Sequence, residues 1–253
     1  MIPLSAVQEA LHRLYIDDFE ASLRDEDRKK AAELAGILAE VERAVATTSP
    51  HRPITLVDAA AGKAYVGLLT AEFVLAPAAR AGRVILLERD ARRAASCRNA
   101  LARLRAPGVA AEVVEGDVAD VTAWPAEPDV VVALHACGRA SDAVVERATI
   151  SRARNILLVP CCTSEDVEAA ELAENRAEAS GIPRHAEVRR RFIQAIVDAE
   201  RTLRLEAAGY QTVVVPFVPP TLTPHNLLWR ARRVGEPVRM AEAAERLRRL
   251  REG

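Results

Sequence analysis

Aromatic side chains are scarce: Phe, Trp and Tyr together make up 4% of the 253 residues. A chain this poor in rings lacks the stacking platforms on which single-stranded nucleic acids are commonly held. Its core must be built from Ala, Leu and Val. Lysine occurs only at positions 29, 30 and 63, so nearly all positive charge is Arg. Neither sign of charge dominates, since 35 Lys+Arg against 36 Asp+Glu leave a net charge of -1. That excludes a strongly basic body made for polyanions, though not a local basic face, and it excludes a disordered acidic tail. Four Cys with no CxxC do not make a disulfide scaffold, and reduced thiols are expected. Long hydrophobic runs are missing too. The longest uncharged stretch, 212–229, contains Pro216, Pro219, Pro220 and Pro224 and cannot form one membrane helix. The start of the chain has no basic segment followed by an apolar run. The expectation is therefore a cytoplasmic protein without a membrane partner. Half of the residues are apolar, enough for a large core, and the length fits one domain with at most a small appendage.

Residues 1–50 have helical periodicity, with Leu11, Leu14, Tyr15, Phe19 and Leu23, then Leu34, Ile37, Leu38, Val41 and Val45. Ser5 is a candidate N-cap for the first helix. A breaker-rich linker, 47–53, follows. From Ile54 onward, short β-rich runs alternate with helical segments. Strands are predicted at 54–58, 83–88, 111–117, 129–135 and 155–160, with helices over 63–79 and 91–105. A charged helical stretch covers 165–208, two further strands cover 210–218 and 225–234, and an Arg-rich helix covers 238–253. This order predicts an α/β fold: a doubly wound, seven-stranded, mostly parallel sheet ending in an antiparallel hairpin at one edge. The expected division is a helical N-terminal extension (1–50), the α/β domain (51–236) and a C-terminal helix (237–253). Ligands in such sheets bind beyond the carboxyl ends of the strands.

The first such end reads DAAAGKAYVG, from Asp58 to Gly67. Its small residues let a ligand approach the backbone, and a helix start supplies free N–H groups. The dinucleotide fingerprint GxGxxG is absent, because Ala60 stands at its first Gly and Tyr65 at its third when Gly62 is set on the second. Glu88 ends the second strand, where it can accept hydrogen bonds from a ribose diol, and Asp117 ends the third, where an adenine amine can be held. An acid, a small-residue bend and two further acids, one feature per strand end, fit an adenosyl ligand with a charged amino-acid end. Each acid also has a plainer role: Asp58 as a helix cap, Glu88 as a solvated strand end, Asp117 as a turn residue.

These motifs resemble those of class I S-adenosylmethionine-dependent methyltransferases, which share a Rossmann-like sheet. LHACG (134–138), VPCC (159–162) and TPHNLL (223–228) resemble, more narrowly, the methyltransferase-type domain of the family that includes the glutathione-transferase-C-terminal-domain-containing protein. The resemblance covers roughly 50–234. It implies S-adenosylmethionine as cofactor, with Asp58, Ala60 and Gly62 near its methionine end, Glu88 on the ribose, and Asp117 and Val118 flanking the adenine. Lys63 belongs to the same bend, as a cofactor contact or a solvated first-turn lysine. His135 would close the reaction side, and Ala60 departs from the more usual Gly. Two other functions compete with methyl transfer on such a sheet. One is an NAD-linked oxidoreductase, against which the missing first Gly stands, and the other is a scaffold without catalytic activity.

His135 and Cys137 follow the fourth strand, and Cys161 and Cys162 the fifth. The cysteines could pack structurally under the cofactor, could include a thiolate nucleophile at Cys161, or could bind zinc. Adjacent cysteines rarely ligate one ion, and no metal is expected. Cys97 reads as core. Transfer from a sulfonium needs a base only when the acceptor must lose a proton, and His135 is the candidate. The acceptor side is assigned to 181–191, with Arg189, Arg190 and Arg191, and to the hairpin turn at Asn226. The last 24 residues hold eight Arg against four Glu. They make RNA the first acceptor to consider, against protein or a small molecule, although a solvated amphipathic helix with Arg stems over apolar surface is the preferred explanation of these charges.

Overall fold

Adjacent residues of the central strands are buried on opposite faces, and this two-sided burial organises the molecule. Leu56, Val84, Val130 and Leu157 enter one core, while Val57, Ile85, Val131 and Ile156 enter another. Such strands can only lie between two helical layers. The structure, a computed structural model, describes residues 2–16, 24–161, 166–184 and 187–252.

Two helices come first, α1 (Leu4–Tyr15) and α2 (Asp25–Ala46). There follow β1 (Ile54–Ala59), α3 (Tyr65–Thr70), β2 (Gly82–Glu88), α4 (Ala91–Leu101), β3 (Val109–Glu115), β4 (Val130–Ala136), α5 (Arg139–Ile150) and β5 (Asn155–Pro160). The chain ends with α6 (Ala170–Ala179), α7 (Glu187–Ala207), β6 (Tyr210–Pro216), β7 (Leu227–Arg233) and α8 (Pro237–Glu252). The sheet order is β3-β2-β1-β4-β5-β7-β6. Among the described strands β7 alone runs against the direction of the other six, inserted between β5 and β6. The predicted doubly wound, seven-stranded sheet is thus present. Strand order reverses between β1 and β4, which puts the ligand crevice above those two strands.

The N-terminal helices are not an appendage in packing terms. Val7, Leu11 and Leu14 of α1 and Leu34, Ile37, Leu38 and Val41 of α2 share one core with Leu56, Val84 and α4's Cys97. On the opposite face α5 and α7 contribute Val144, Val145 and Leu205, beside Tyr210 and Trp229. The C-terminal helix lies along α7, tied by Arg251 to Glu168 and Glu200.

Several boundaries differ from expectation. The first helix starts at Leu4 after Pro3, with no side-chain cap, so Ser5 lies in the first turn and caps nothing. Phe19 and Leu23 fall outside the described residues, as do Cys162 and His185. The helix expected over 63–79 begins at Tyr65, after Ala64 in a left-handed conformation, and runs into a π-helical turn, Ala71–Leu75. The third strand ends at Glu115, which moves Asp117 into the turn beyond it.

Candidate active site

The bend after β1 is unusual backbone. Ala60, Gly62 and Ala64 all have positive φ, at 56°, 61° and 61°. For the two alanines this region is sterically unfavourable, and such strain persists only where surrounding bonds over-determine it. Those bonds are present. Ala61 N–H donates to Leu87 O at 2.9 Å, Gly62 N–H to Glu88 Oε2 at 2.7 Å, and Ala64 N–H to Ala61 O at 2.7 Å. Cys97 Sγ donates to Gly62 O at 3.3 Å, and the Tyr15 hydroxyl to Lys63 O at 2.6 Å. The Lys63 side chain itself is exposed.

Asp58 lies beneath this bend, 2% exposed, and its Oδ2 accepts the Gly67 N–H at 2.8 Å. It therefore does cap the first turn of α3, the plainer of its two expected roles. Gly67 is required there, because an added Cβ would collide with Leu86 and come within 3.1 Å of Asp58 Oδ2. Burial pushes the Asp58 carboxyl up to about 7, opposed by the Gly67 bond and reinforced by Glu88. The folded chain thus keeps a proton that the unfolded chain has released by about pH 4. Stability falls as pH rises from about 4 to 7 and stays lower above that, by a few kcal/mol at ~1.4 kcal/mol per pKa unit. Thermal melts at pH 5 and pH 8 should show a larger drop for the parent chain than for Asp58→Asn; equal drops would remove Asp58 as the cause.

Glu88 is 4% exposed, which overturns its alternative as a solvated strand end. Its Oε1 accepts the Asp90 N–H at 2.9 Å, while Oε2 takes Gly62. One carboxylate thus joins the bend to the start of α4. Asp117 is about half exposed and forms an Asx turn with the Ala119 N–H at 2.9 Å, so its turn role is real. Val118 is buried, and Trp124 Nε1 donates to its carbonyl at 2.9 Å.

At the end of β4 the pairing with β5 slips between Leu134 and Ala136, and His135 takes φ 61°. A bulge of this kind re-aims a side chain beside a site. The His135 ring reaches α2, where Nε2 lies 2.6 Å from Glu33 Oε1 and Nδ1 is buried without a partner among the described residues. Burial acts to raise the Glu33 carboxyl, but His135 and Lys30 more than offset it and hold it below the usual range. His225 stands across from His135, ring centroids 6.3 Å apart. Cys137 and Cys161 are joined in a disulfide, Cα–Cα 5.4 Å, so for this pair the expectation of reduced thiols is corrected. Cys161 has no thiol to offer as a nucleophile while that bond stands. Cys97 is free, buried as expected, and pushed up to about 12 by burial and by the charges of Asp58 and Glu88. Among the described residues no cluster of metal-ligating side chains occurs.

Beyond Cys161 a cavity of about 200 Å³ opens between the end of β5, the start of β7 and α7. Asp198, Arg201, His225 and Trp229 line it. Of the residues assigned to the acceptor side, Asn226 reaches this cavity, whereas Arg189 is spent on Glu174 and Arg190 on Glu187.

A family model described as a methyltransferase domain matches residues 29–169, more than half of the chain. The chain belongs to this methyltransferase-domain family. The matched span takes in most of α2 and everything from β1 to β5, including the bend, Glu88, Asp117 and His135. The fold agrees. Magnesium protoporphyrin IX methyltransferase from Synechocystis PCC 6803, solved with bound S-adenosylhomocysteine, is 14% identical over 91% of this chain and 95% of its own, with TM-score 0.51. The methyltransferase domain of citrinin polyketide synthase is 11% identical over 83% of this chain and 54% of its own, with TM-score 0.53. The CurJ carbon methyltransferase is 13% identical over 91% of this chain and 59% of its own, with TM-score 0.51. No curated protein sequence matches. Among the described residues of this methyltransferase, no helix is long and apolar enough to cross a membrane.

Sequence reasoning missed Glu33, Tyr15, Asp198 and Arg201. Glu33 is 102 positions from His135, and Asp198 sits within a helix whose charges look uniformly solvent-facing. Gly67, a glycine inside a predicted helix, marks the close approach of Leu86 and Asp58 but signals none of these four.

Proposed function

We propose that this chain uses S-adenosylmethionine, held at the 58–62 bend, to methylate an acceptor approaching past His135 and Cys161. The observation that carries this is the bend itself. A Cβ built at Gly62 meets no atom of the described residues within 4 Å, so open space lies directly outside a turn whose N–H is fixed by the buried Glu88. The residues present fit the cofactor. Ala60, Gly62 and Lys63 offer a small-residue wall to the methionine end, with Asp58 supporting it from beneath. Each Glu88 oxygen accepts one backbone bond and keeps a second lone pair for a ribose hydroxyl. Val118 gives the adenine an apolar face, and Asp117, half exposed beside it, a hydrogen-bond acceptor.

The cofactor supplies a methyl group on a sulfonium, which departs as a neutral thioether. The protein's contribution is in-line positioning and exclusion of water. His135, held by Glu33, walls the reaction side. Cys161, bonded to Cys137, does the same, and acts as a nucleophile only after reduction. The narrower kinship with the glutathione-transferase-C-terminal-domain-containing family draws support from the meeting of its three motifs. LHACG and VPCC are joined through Cys137 and Cys161, and TPHNLL brings His225 to His135. RNA as acceptor loses its main support, since Arg239, Arg248, Arg249 and Arg251 of α8 are each paired with a glutamate. A compact acceptor fits the cavity better.

Glu88→Ala should weaken binding of S-adenosylhomocysteine by about 1–3 kcal/mol, roughly 5- to 150-fold, in titration calorimetry. Unchanged affinity would take Glu88 out of the site.

A further inference from the structure

The cavity beyond Cys161 has a chemistry of its own. At about 200 Å³ it is smaller than the ~300–1,000 Å³ of pockets for drug-sized ligands, so it suits one ring or side-chain-sized group. Pro160, Pro224 and Trp229 provide its flat apolar surface, and Asp198 its carboxylate. Asp198 is held firmly. Its Oδ1 takes Arg201 Nη1 at 3.2 Å. Arg201 is 1% exposed, donates from Nη2 to Ser141 Oγ at 3.0 Å, and lies 5.8 Å from the centroid of the Trp229 ring. Trp229 is fixed in turn by its Nε1 bond to Thr202 Oγ1 at 2.9 Å. Among the described residues no partner engages the second carboxylate oxygen of Asp198, and Asp198 lines the cavity. Asn226, also in the lining, donates its Nδ2 to Val218 O at 2.9 Å, which leaves Oδ1 to accept.

We propose that an amino group is the methyl acceptor, that it enters this cavity, and that Asp198 receives its proton. The inference rests on the methyl-transfer function above. Asp198 and Asn226 each bring a hydrogen-bond acceptor to the lining of one small space, which matches the two N–H bonds of a neutral amino group and leaves its lone pair for the methyl carbon. A hydroxyl has one hydrogen to share between them, and a carboxylate is repelled by Asp198. The nitrogen lone pair forms the N–C bond as the S–C bond breaks, its electron pair going to sulfur as the thioether leaves. As the N–C bond forms, one N–H bond gives its proton to Asp198 and leaves its electron pair on nitrogen, and Asp198 passes the proton to water. His135 is less suited to this task, since Nε2 is engaged by Glu33 and Nδ1 is buried. Arg201 is a positioning residue that aims the carboxylate. The charged and titratable groups facing Asp198 are Arg201 on its own helix, Asp142 from α5 behind Arg201, and His225 across the cavity.

The test uses the full chain, S-adenosylmethionine and three single-ring probes: aniline, phenol and benzoate. Mass spectrometry should find N-methylaniline formed at least tenfold faster than either O-methylated product, and ligand-observed NMR should find aniline bound more tightly than benzoate. Asp198→Asn should lower aniline methylation by about 100-fold, the scale of a lost proton acceptor, with S-adenosylhomocysteine affinity unchanged. The parent rate should also rise with pH through about 6, where burial raises Asp198 against the opposing Arg201, and this limb should vanish in the variant. Preference for phenol or benzoate, full activity in Asp198→Asn, or no aniline methylation by a chain that binds S-adenosylhomocysteine would each overturn the inference. If Asp198→Asn does not fold, the probe preference of the parent chain decides. Failure to bind S-adenosylhomocysteine would instead overturn the methyl-transfer function.

Discussion

Gly67→Val should weaken cofactor binding by about 100-fold or more and destabilise the fold. The Gly67 N–H approaches Asp58 Oδ2 to 2.8 Å, and a side chain there would collide with Leu86 and crowd the same carboxylate. Overpacking costs about 1–3 kcal/mol. Displacing the N–H leaves a buried carboxyl without its bond, for about 1–3 kcal/mol more. The combined loss, roughly 2–6 kcal/mol, falls on the segment that closes the 58–62 bend. Calorimetry with S-adenosylhomocysteine should show affinity down by about 100-fold or more, and a thermal melt should show a lower midpoint. Parent-like values in both would mean that the bend is not supported from Asp58.

Arg201→Leu should be the most destabilising change on the opposite face. Arg201 is almost fully buried, and it joins Asp198, Ser141 and the Trp229 ring, with Asp142 3.9 Å away. Removing one partner of a buried charge cluster strands the others, at a cost of about 3–5 kcal/mol. For a chain of this length that is roughly 6–20 °C in Tm. Adding Asp198→Leu should recover part of the loss, because the second charge no longer lacks a partner. A single variant within about 2 °C of the parent, the least shift that 1 kcal/mol gives at this size, would show that the cluster contributes nothing net.

The sheet was legible because its strands are apolar at consecutive positions and separated by helical periodicity, so local pattern and topology agree. The positions of Asp58 and Glu88 were legible for a similar reason: each sits at the end of a strand, where position along the chain nearly fixes position in space, and Gly62 lies in the bend just beyond β1. Boundaries failed where local chemistry competed. Ala64 in a left-handed conformation delays α3 by two residues, and the bulge at His135 departs from a regular strand end. What could not be read were contacts between distant segments. Nothing near Glu33 signals that it will meet His135, and the cysteines gave three chemistries with no means of choosing until β4 and β5 lay side by side. Asp198 and Arg201 are three residues apart on a helix, a spacing usually spent at the surface. Only the packing of α7 against α5 and β7 buries them.

Cofactor use by this methyltransferase turns on what occupies the space outside Gly62. Titration of S-adenosylhomocysteine into the folded full chain, with NADH as the comparison, is the decisive measurement. Saturable single-site binding of S-adenosylhomocysteine, weakened by Glu88→Ala, is expected, with no heat from NADH. Saturable binding of NADH, with none of S-adenosylhomocysteine, would refute the assignment.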